Sequence, residues 1–416
     1  MAYEEFEAIL GGFEGFDLVD VARDTSVKPP RLLLQLQPKE ELPKRCSRCG
    51  EVVMEIHDTV ERRVRDLPVA EWETWVVFPR SRVECPRCGP TVEEVPWLDR
   101  YQRMTKRLAE KIARLAQVLP IKHVADWFGV SWDTVKELDK RALIKKLEPL
   151  DLSGVRVIAI DEFAVHRGHR YATVVAEPST KRVLWVARGR DREALAGFFR
   201  ALGAEGCALI EAVVMDMWRP YHDEVKVRCP NAVVVYDLFH MVSKFGRDVV
   251  DRVRVDETNK ITRVAGAHGS RERDARRVIK GTRWLLLKNR ENVRTAADRI
   301  RLAELLKTNR PLFVVYVLKE DLKQLWRFSY PKAARRFFDE WYRRAMSSRI
   351  KPLIDFARML GEKLDSVIAH CRYPLSTSLL EGINNKIKVI KRMAYGFRDE
   401  AYFFLKIRAA FPGITG

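Results

Sequence analysis

The chain has 416 residues, 47% hydrophobic and 32% charged. That is too long for one ordinary core and too apolar for a disordered chain, so about two to four globular domains are expected. The net charge of +19, from 76 Lys+Arg against 57 Asp+Glu, points to a polyanionic partner, most often nucleic acid, with an unspecialised basic surface as the alternative.

No run approaches the roughly 18 apolar residues of a membrane span. The acidic start MAYEEFEAIL lacks the basic start and apolar core of a signal peptide. A cytoplasmic location without a membrane partner is therefore expected. Residues 1–40 hold short apolar runs such as Leu32–Leu34 and read as a strand pair. Two Cys-x-x-Cys-Gly knuckles follow, Cys46/Cys49 with Gly50 and Cys85/Cys88 with Gly89. A Gly after the second Cys permits the tight turn that aims backbone N–H groups at a thiolate. Four thiolates complete a closed tetrahedral zinc shell, and seven cysteines suit a metal site in a reducing compartment better than a secreted disulfide framework. A disulfide pair or free thiols remain the alternatives, and His57 is a further possible ligand or an ordinary polar residue. The reading for 1–100 is a strand-rich zinc ribbon with structural Zn²⁺.

Residues 101–150 change period. Leu108, Ile112, Leu115 and Val118 have helical spacing, and Pro120 ends the run. Next, Val124 and Phe128 face a core, Gly129 turns the chain, and Ser131 caps a second helix with Trp132, Val135 and Leu138. This is the helix-turn-helix pattern, whose second helix enters a major groove, although many helical hairpins share it. Ser131, Trp132 and Lys136 are its candidate DNA contacts.

From 151 to 255 the pattern is three strands, then alternating helix and strand: Val155–Ile160, Ala172–Val175, Val183–Ala187, a helix Glu193–Leu202, Glu211–Met215, a helical stretch and Ala232–Tyr236. This order suggests an RNase H-like sheet. Residues 256–350 read as a basic all-helical insertion, with Trp284, Trp326 and Trp341 as core and Arg273, Arg276 and Arg277 facing solvent. Residues 351–416 would complete the sheet domain, giving a multi-domain α/β chain.

Asp161 and Asp216 each follow an apolar strand run. A desolvated carboxylate needs compensation, and two held close repel unless a divalent cation lies between them. An exposed turn at Asp161 and Glu162 is the plainer reading. Mg²⁺ (or Mn²⁺) suits a site of few acids. A third acid is offered by Glu381, beside the helical stripe Leu380, Ile383, Ile387 and Ile390, with Asn385 and Lys388 one and two turns on. Ser378 to Glu381 also fits a capping box, in which the Glu only satisfies a backbone N–H. Glu162 should point to the opposite face from Asp161. The charge is uneven: the first thirty residues are acidic, whereas Lys386, Lys388, Lys391, Arg392 and Arg398 crowd the C-terminal part.

With Asp161, Asp216 and Glu381 assigned, the chain resembles a DDE transposase, and more closely the ISL-three family of bacterial and archaeal insertion-sequence transposases. The stretches that carry the resemblance are IDEFAVHRGHRYATVV from Ile160, VMDMWRPY from Val214, VYDLFHMV from Val235 and LEGINNKIKVIKRMAYGFR from Leu380. The paired cysteines with VRDLP from Val64 fit its N-terminal region. The resemblance implies an RNase H-like core interrupted by a helical insertion, with Asp161, Asp216 and Glu381 as the metal-binding triad. His240, in Asp237-Leu-Phe-His240, would act near the scissile phosphate, or else cap the following helix. Lys386, Lys388, Lys391 and Arg392 would hold phosphates, or form a solvated helix face. The implied activity is cleavage and strand transfer on double-stranded DNA, both transposon ends and target, by a homodimer or larger complex. The alternatives are a non-catalytic zinc and helix-turn-helix regulator derived from a transposase, or a structure-selective nuclease.

Overall fold

The structure, a computed structural model, describes residues 11–39, 43–166, 168, 170–265, 270–288, 290–374 and 378–414. His169, the Arg273 side chain and the Ser378 side chain of the capping box lie outside the described residues. The chain divides into two compact units, 1–146 with 393–396, and 147–392 with 397–416. Among the described residues no helix is long and apolar enough to cross a membrane.

The first unit begins with the antiparallel pair β1 (Phe16–Asp24) and β2 (Arg31–Pro38). β2 then runs parallel to β4 (Glu73–Cys85), which pairs antiparallel with β3 (Ile56–Arg65) and β5 (Gly89–Val92). Alternate residues Leu32, Leu34 and Leu36 are buried with Val64, Val76 and Phe78, the period of two that a half-covered sheet demands. The helices α1 (Lys106–Ala116), α2 (Ile121–Phe128) and α3 (Trp132–Leu147) follow. Thr105 caps α1, its hydroxyl accepting from Leu108 N at 3.3 Å. Asp66, from the VRDLP stretch, accepts from Thr105 Oγ1 at 2.6 Å and from Arg107 Nε at 2.7 Å, tying the sheet to the start of α1.

The second unit holds a five-stranded sheet in the order β10-β9-β6-β7-β8, from β6 (Val157–His166), β7 (Arg170–Glu177), β8 (Arg182–Arg188), β9 (Ala212–Met215) and β10 (Val233–Tyr236). The first three in chain order form an antiparallel meander, and β9 and β10 add parallel to β6 and to each other. The parallel strands are covered on both faces, which is why VIAI and AVVM read as continuous apolar runs. Ile158, Ile160, Val213 and Met215 pack on one side. There they share a core with α4 (Arg192–Ala208), α5 (Arg219–Arg228) and residues from helices as far as α14. Those helices are α6 (Leu238–Phe245), continued by a π-helical turn Gly246–Asp251, then α7 (Arg252–Ala265), α8 (Ser270–Gly281), α9 (Arg283–Leu287), α10 (Ala296–Thr308), α11 (Arg310–Gln324), α12 (Pro331–Ser347), α13 (Lys351–Gly361) and α14 (Leu364–Ile368). On the other side, Ala159, Phe163, Val214 and Val235 meet Leu380, Ile383 and Ile387 of α15 (Ser378–Met393) and Phe403 and Ile407 of α16 (Glu400–Ala410).

Two expectations are corrected. Trp284 is not core: its side chain is exposed, while Trp341 is buried with its indole N–H donated to Leu318 O at 2.9 Å. Nor does β6 end at Asp161; it runs on to His166, because β7 continues to pair with it after β9 has stopped.

Candidate active site and DNA-binding elements

The four knuckle cysteines converge, with sulfur atoms all within 4.8 Å of one another. The second knuckle is the turn of the β4–β5 hairpin, where Cys85 pairs with Gly89. Gly50 and Gly89 both have positive φ, 75° and 69°, so the glycines do what their positions required. Cys46 is drawn down to about 7: burial opposes its charge, but the N–H groups of Arg48 and Cys49 and the neighbouring thiols outweigh it. Cys88 is pushed up as its neighbours compete for the same charge. This is the donor set of a closed tetrahedral zinc site. His57 is not part of it; its Nε2 lies 2.6 Å from Glu84 Oε2.

In the helical hairpin, Gly129 adopts the left-handed conformation at φ 58°, and Ser131 Oγ accepts from Thr134 N at 3.1 Å. Val124, Phe128 and Val135 are buried. Trp132 is exposed at the start of α3, with the Lys136 ammonium 5.7 Å from its ring centroid. The side of α3 away from the core therefore presents an indole and a cation.

The acids are aligned by strand register. Ala159 pairs with Val214, and Val214 with Val235. Two residues further along each strand stand Asp161, Asp216 and Asp237, on the face that α15 covers. His240, in the first turn of α6, sits among them: Nε2 is 3.7 Å from Asp161 Oδ1 and 3.8 Å from Asp237 Oδ2, and Nδ1 is 3.6 Å from Asp216 Oδ2. Asn384 of α15 donates from Nδ2 to Asp161 Oδ2 at 2.7 Å, across 223 residues of chain. Burial holds Asp161 above the usual carboxylate range, with Asp216 adding to the rise and His240, the Glu162 N–H and Asn384 opposing it. Glu162 is raised as well, by burial first and then by Asp161 and Asp216. Glu162 Oε2 and Asn384 Oδ1 are buried acceptors without a partner. Concentrated carboxylates, raised pKa values and orphaned acceptor oxygens fit a hard divalent cation.

Glu381 is exposed on α15, one turn before Asn384. Among the described residues it does not join Asp161 and Asp216 in a group with ligand atoms within 4.8 Å. The basic residues of α15 divide. Lys386 Nζ donates to Ala410 O at 2.6 Å, and Lys391 Nζ to Ala164 O at 3.3 Å. Lys388 touches only its neighbour Asn385, at 3.3 Å, and Arg392 is exposed.

Three family models match the chain. Residues 158–407 match a transposase model, 93–143 the helix-turn-helix domain of transposase family ISL3, and 42–88 the zinc-finger of transposase IS204/IS1001/IS1096/IS1165. The chain belongs to the ISL3 family of transposases. It is 46% identical over 406 residues to the transposase for insertion sequence element IS1001 of Bordetella parapertussis, covering 97% of each chain. It is 31% identical over 412 residues to the transposase for insertion sequence element IS1557 of Mycobacterium tuberculosis, in both strain CDC 1551 / Oshkosh and strain ATCC 25618 / H37Rv, covering 95% of this chain and 92% of the relative. The three matches follow the order ribbon, helix-turn-helix, DDE domain, so this ISL3 transposase carries DNA-binding modules ahead of its DDE domain.

Residue reasoning passed over Asn384 and the place of Asp237 in the cluster. Asp237 repeats a signal already used at Asp216, an acid directly after an apolar strand. Asn384 follows Ile383 in the buried stripe, but Asn385 beside it offers the same amide, and only the tilt of α15 decides between them.

Proposed function

We propose that this ISL3 transposase cuts and joins insertion-sequence DNA through a two-cation site held by Asp161, Asp216 and Glu381. The observation that carries the reading is the register of β6, β9 and β10, which sets Asp161, Asp216 and Asp237 side by side around His240, with Asn384 on Asp161. An antiparallel hairpin followed by parallel strands in one sheet supports an RNase H-like core, in 151–255 and 351–416. Residues 256–350 are then a helical insertion, ahead of which lie the ribbon (1–100) and the helix-turn-helix (101–150).

Mg²⁺ (or Mn²⁺) bound there lowers the pKa of a water or 3′-hydroxyl nucleophile and stabilises the leaving oxygen. Asp161 and Asp216 supply carboxylate oxygens, and Asn384 holds Asp161 in one rotamer. Glu381 lies about 4.5 Å along the helix axis from Asn384 and on an adjoining side, so it approaches the cluster by a side-chain movement. His240 Nε2 and Nδ1 donate near the scissile phosphate. Lys388 and Arg392 hold flanking phosphates, with Lys386 and Lys391 bracing α15. Ser131, Trp132 and Lys136 contact the ends from α3. Hydrolysis frees a 3′-OH, which then attacks target DNA. Because two ends must meet, the working form on DNA is a dimer or larger.

The test is Mg²⁺-dependent cleavage and strand transfer by purified protein on its own gene-flanking DNA, beside Asp161→Asn and Glu381→Gln. Cutting to 3′-OH ends that join target DNA, lost in both variants with end binding intact, is expected. Cutting retained in Glu381→Gln removes that residue from the site. Binding without cutting, with both ends supplied and over a range of Mg²⁺ and Mn²⁺, marks the chain as a transposase-derived regulator.

A further inference from the structure

The loop between β8 and α4 carries a cation that the acid cluster does not use. Gly189 N donates to Tyr171 O at 2.9 Å, and Thr173 Oγ1 donates to Gly189 O at 2.8 Å, so Arg190 is pinned against the start of β7. Trp218 Nε1 donates to Arg190 O at 2.8 Å. The Arg190 guanidinium carbon lies 4.6 Å from the Tyr171 ring centroid and 4.8 Å from that of Trp218. Backbone and side chain are both held, which removes much of the rotamer freedom an arginine loses on binding.

What the guanidinium lacks is an anion. Among the described residues no carboxylate comes within 4.0 Å of it. Its neighbours differ: Arg182 pairs with Glu177, Arg188 with Glu400 and Arg192 with Asp223. A half-buried guanidinium set by two aromatic rings, with its N–H donors unspent on acids, is built for an oxyanion supplied from outside. Its position fits a particular one. Tyr171 pairs with Ala164, three residues past Asp161 on β6, and Trp218 stands two residues after Asp216. That places the cation on the order of 10 Å from the acids along the sheet edge, at about 3.3 Å per residue. Phosphates recur about every 3.4 Å of axis along one strand.

We propose that Arg190 binds a backbone phosphate of the DNA being cut, within about three nucleotides of the scissile bond, with Tyr171 and Trp218 as its positioning residues. The proposal rests on the acid cluster being the site of cleavage. It gives Trp218 a task other than stacking on a base: its ring and indole N–H hold the arginine.

The experiment is an equilibrium titration of the full-length protein, in EDTA, with its end duplex carrying single neutral methylphosphonates around the cleavage position. Wild type should lose about tenfold or more in affinity at one phosphate within three nucleotides of the cut. Arg190→Ala should lose as much on the unmodified duplex and nothing further at that position, while staying sensitive elsewhere. Arg190→Lys and Trp218→Leu should give smaller losses at the same position, and they carry the test if Arg190→Ala does not fold. An Arg190→Ala penalty that adds to every methylphosphonate alike makes the residue structural and overturns the proposal. So does a wild type indifferent to all phosphates within three nucleotides. The binding is read without metal, so failure of wild type to cut the same duplex in Mg²⁺ would count against the cleavage site alone.

Discussion

Replacing Asn384 with alanine tests the link between α15 and the acid cluster. The amide donates at 2.7 Å to a carboxylate that is 6% exposed. A hydrogen bond to a buried charged acceptor is worth about 1.5–3 kcal/mol, so the metal-free second unit should melt roughly 3–12 °C lower at pH 7.5. The sign of the pH dependence follows from Asp161. Burial holds its pKa above the unfolded value, so its contribution to stability is full below the unfolded pKa and is lost as pH rises through the folded one. Removing the donor raises that pKa further and deepens the loss only where Asp161 is ionised. Calorimetric melts of wild type and Asn384→Ala in EDTA, at pH 7.5 and near pH 4, should show a shift that shrinks in acid. In the Asp161→Asn background the Asn384→Ala shift should also shrink, since the charge is gone. An equal shift at both pH values and in both backgrounds would mean that the amide only fills space, and the argument for a held Asp161 would fail.

Three other changes bear on the first unit and the helical layer. Elemental analysis of purified protein should find one zinc per chain, and Cys85→Ser should lose both the zinc and the first unit's melting transition; metal-free protein with an unchanged melt would remove the zinc site. Asp66→Ala strands the half-buried Arg107 and the Thr105 cap, costing about 3–5 kcal/mol in a denaturant titration. Lys136→Ala should weaken binding across end sequences and lower the salt slope by about one; an unchanged slope would take the residue off the DNA. Finally, Lys319, whose ammonium donates to Leu286 O at 2.6 Å and Lys288 O at 2.8 Å, is held down to about 8 by burial. Its contribution to stability should therefore rise between about pH 8 and its unfolded value near 10.4, a rise that Lys319→Met should abolish.

Local chemistry determined much of this protein in one dimension. A thiolate pair needs its turn glycine beside it in sequence, so Cys46 to Gly50 and Cys85 to Gly89 announced the ribbon. A helix hairpin needs its left-handed residue and its cap adjacent, so Gly129 and Ser131 marked the fold of 121–147. Doubly covered strands must be apolar throughout, so Val157–Ile160 and Ala212–Met215 were legible, and with them the acids that follow. Tertiary structure decided the rest, because it depends on which strand stops first and which way a helix is turned. β9 ends while β7 continues, so Asp161 is a mid-strand residue with an open side rather than a strand terminus. α15 lies with Asn384 on that carboxylate and leaves Glu381 exposed, a choice of about 60° in helix rotation that no spacing encodes. Lys386 is spent on the carbonyl end of α16, and Trp284 lies outside the core its neighbours build, since burial belongs to the packed partner and not to the residue type.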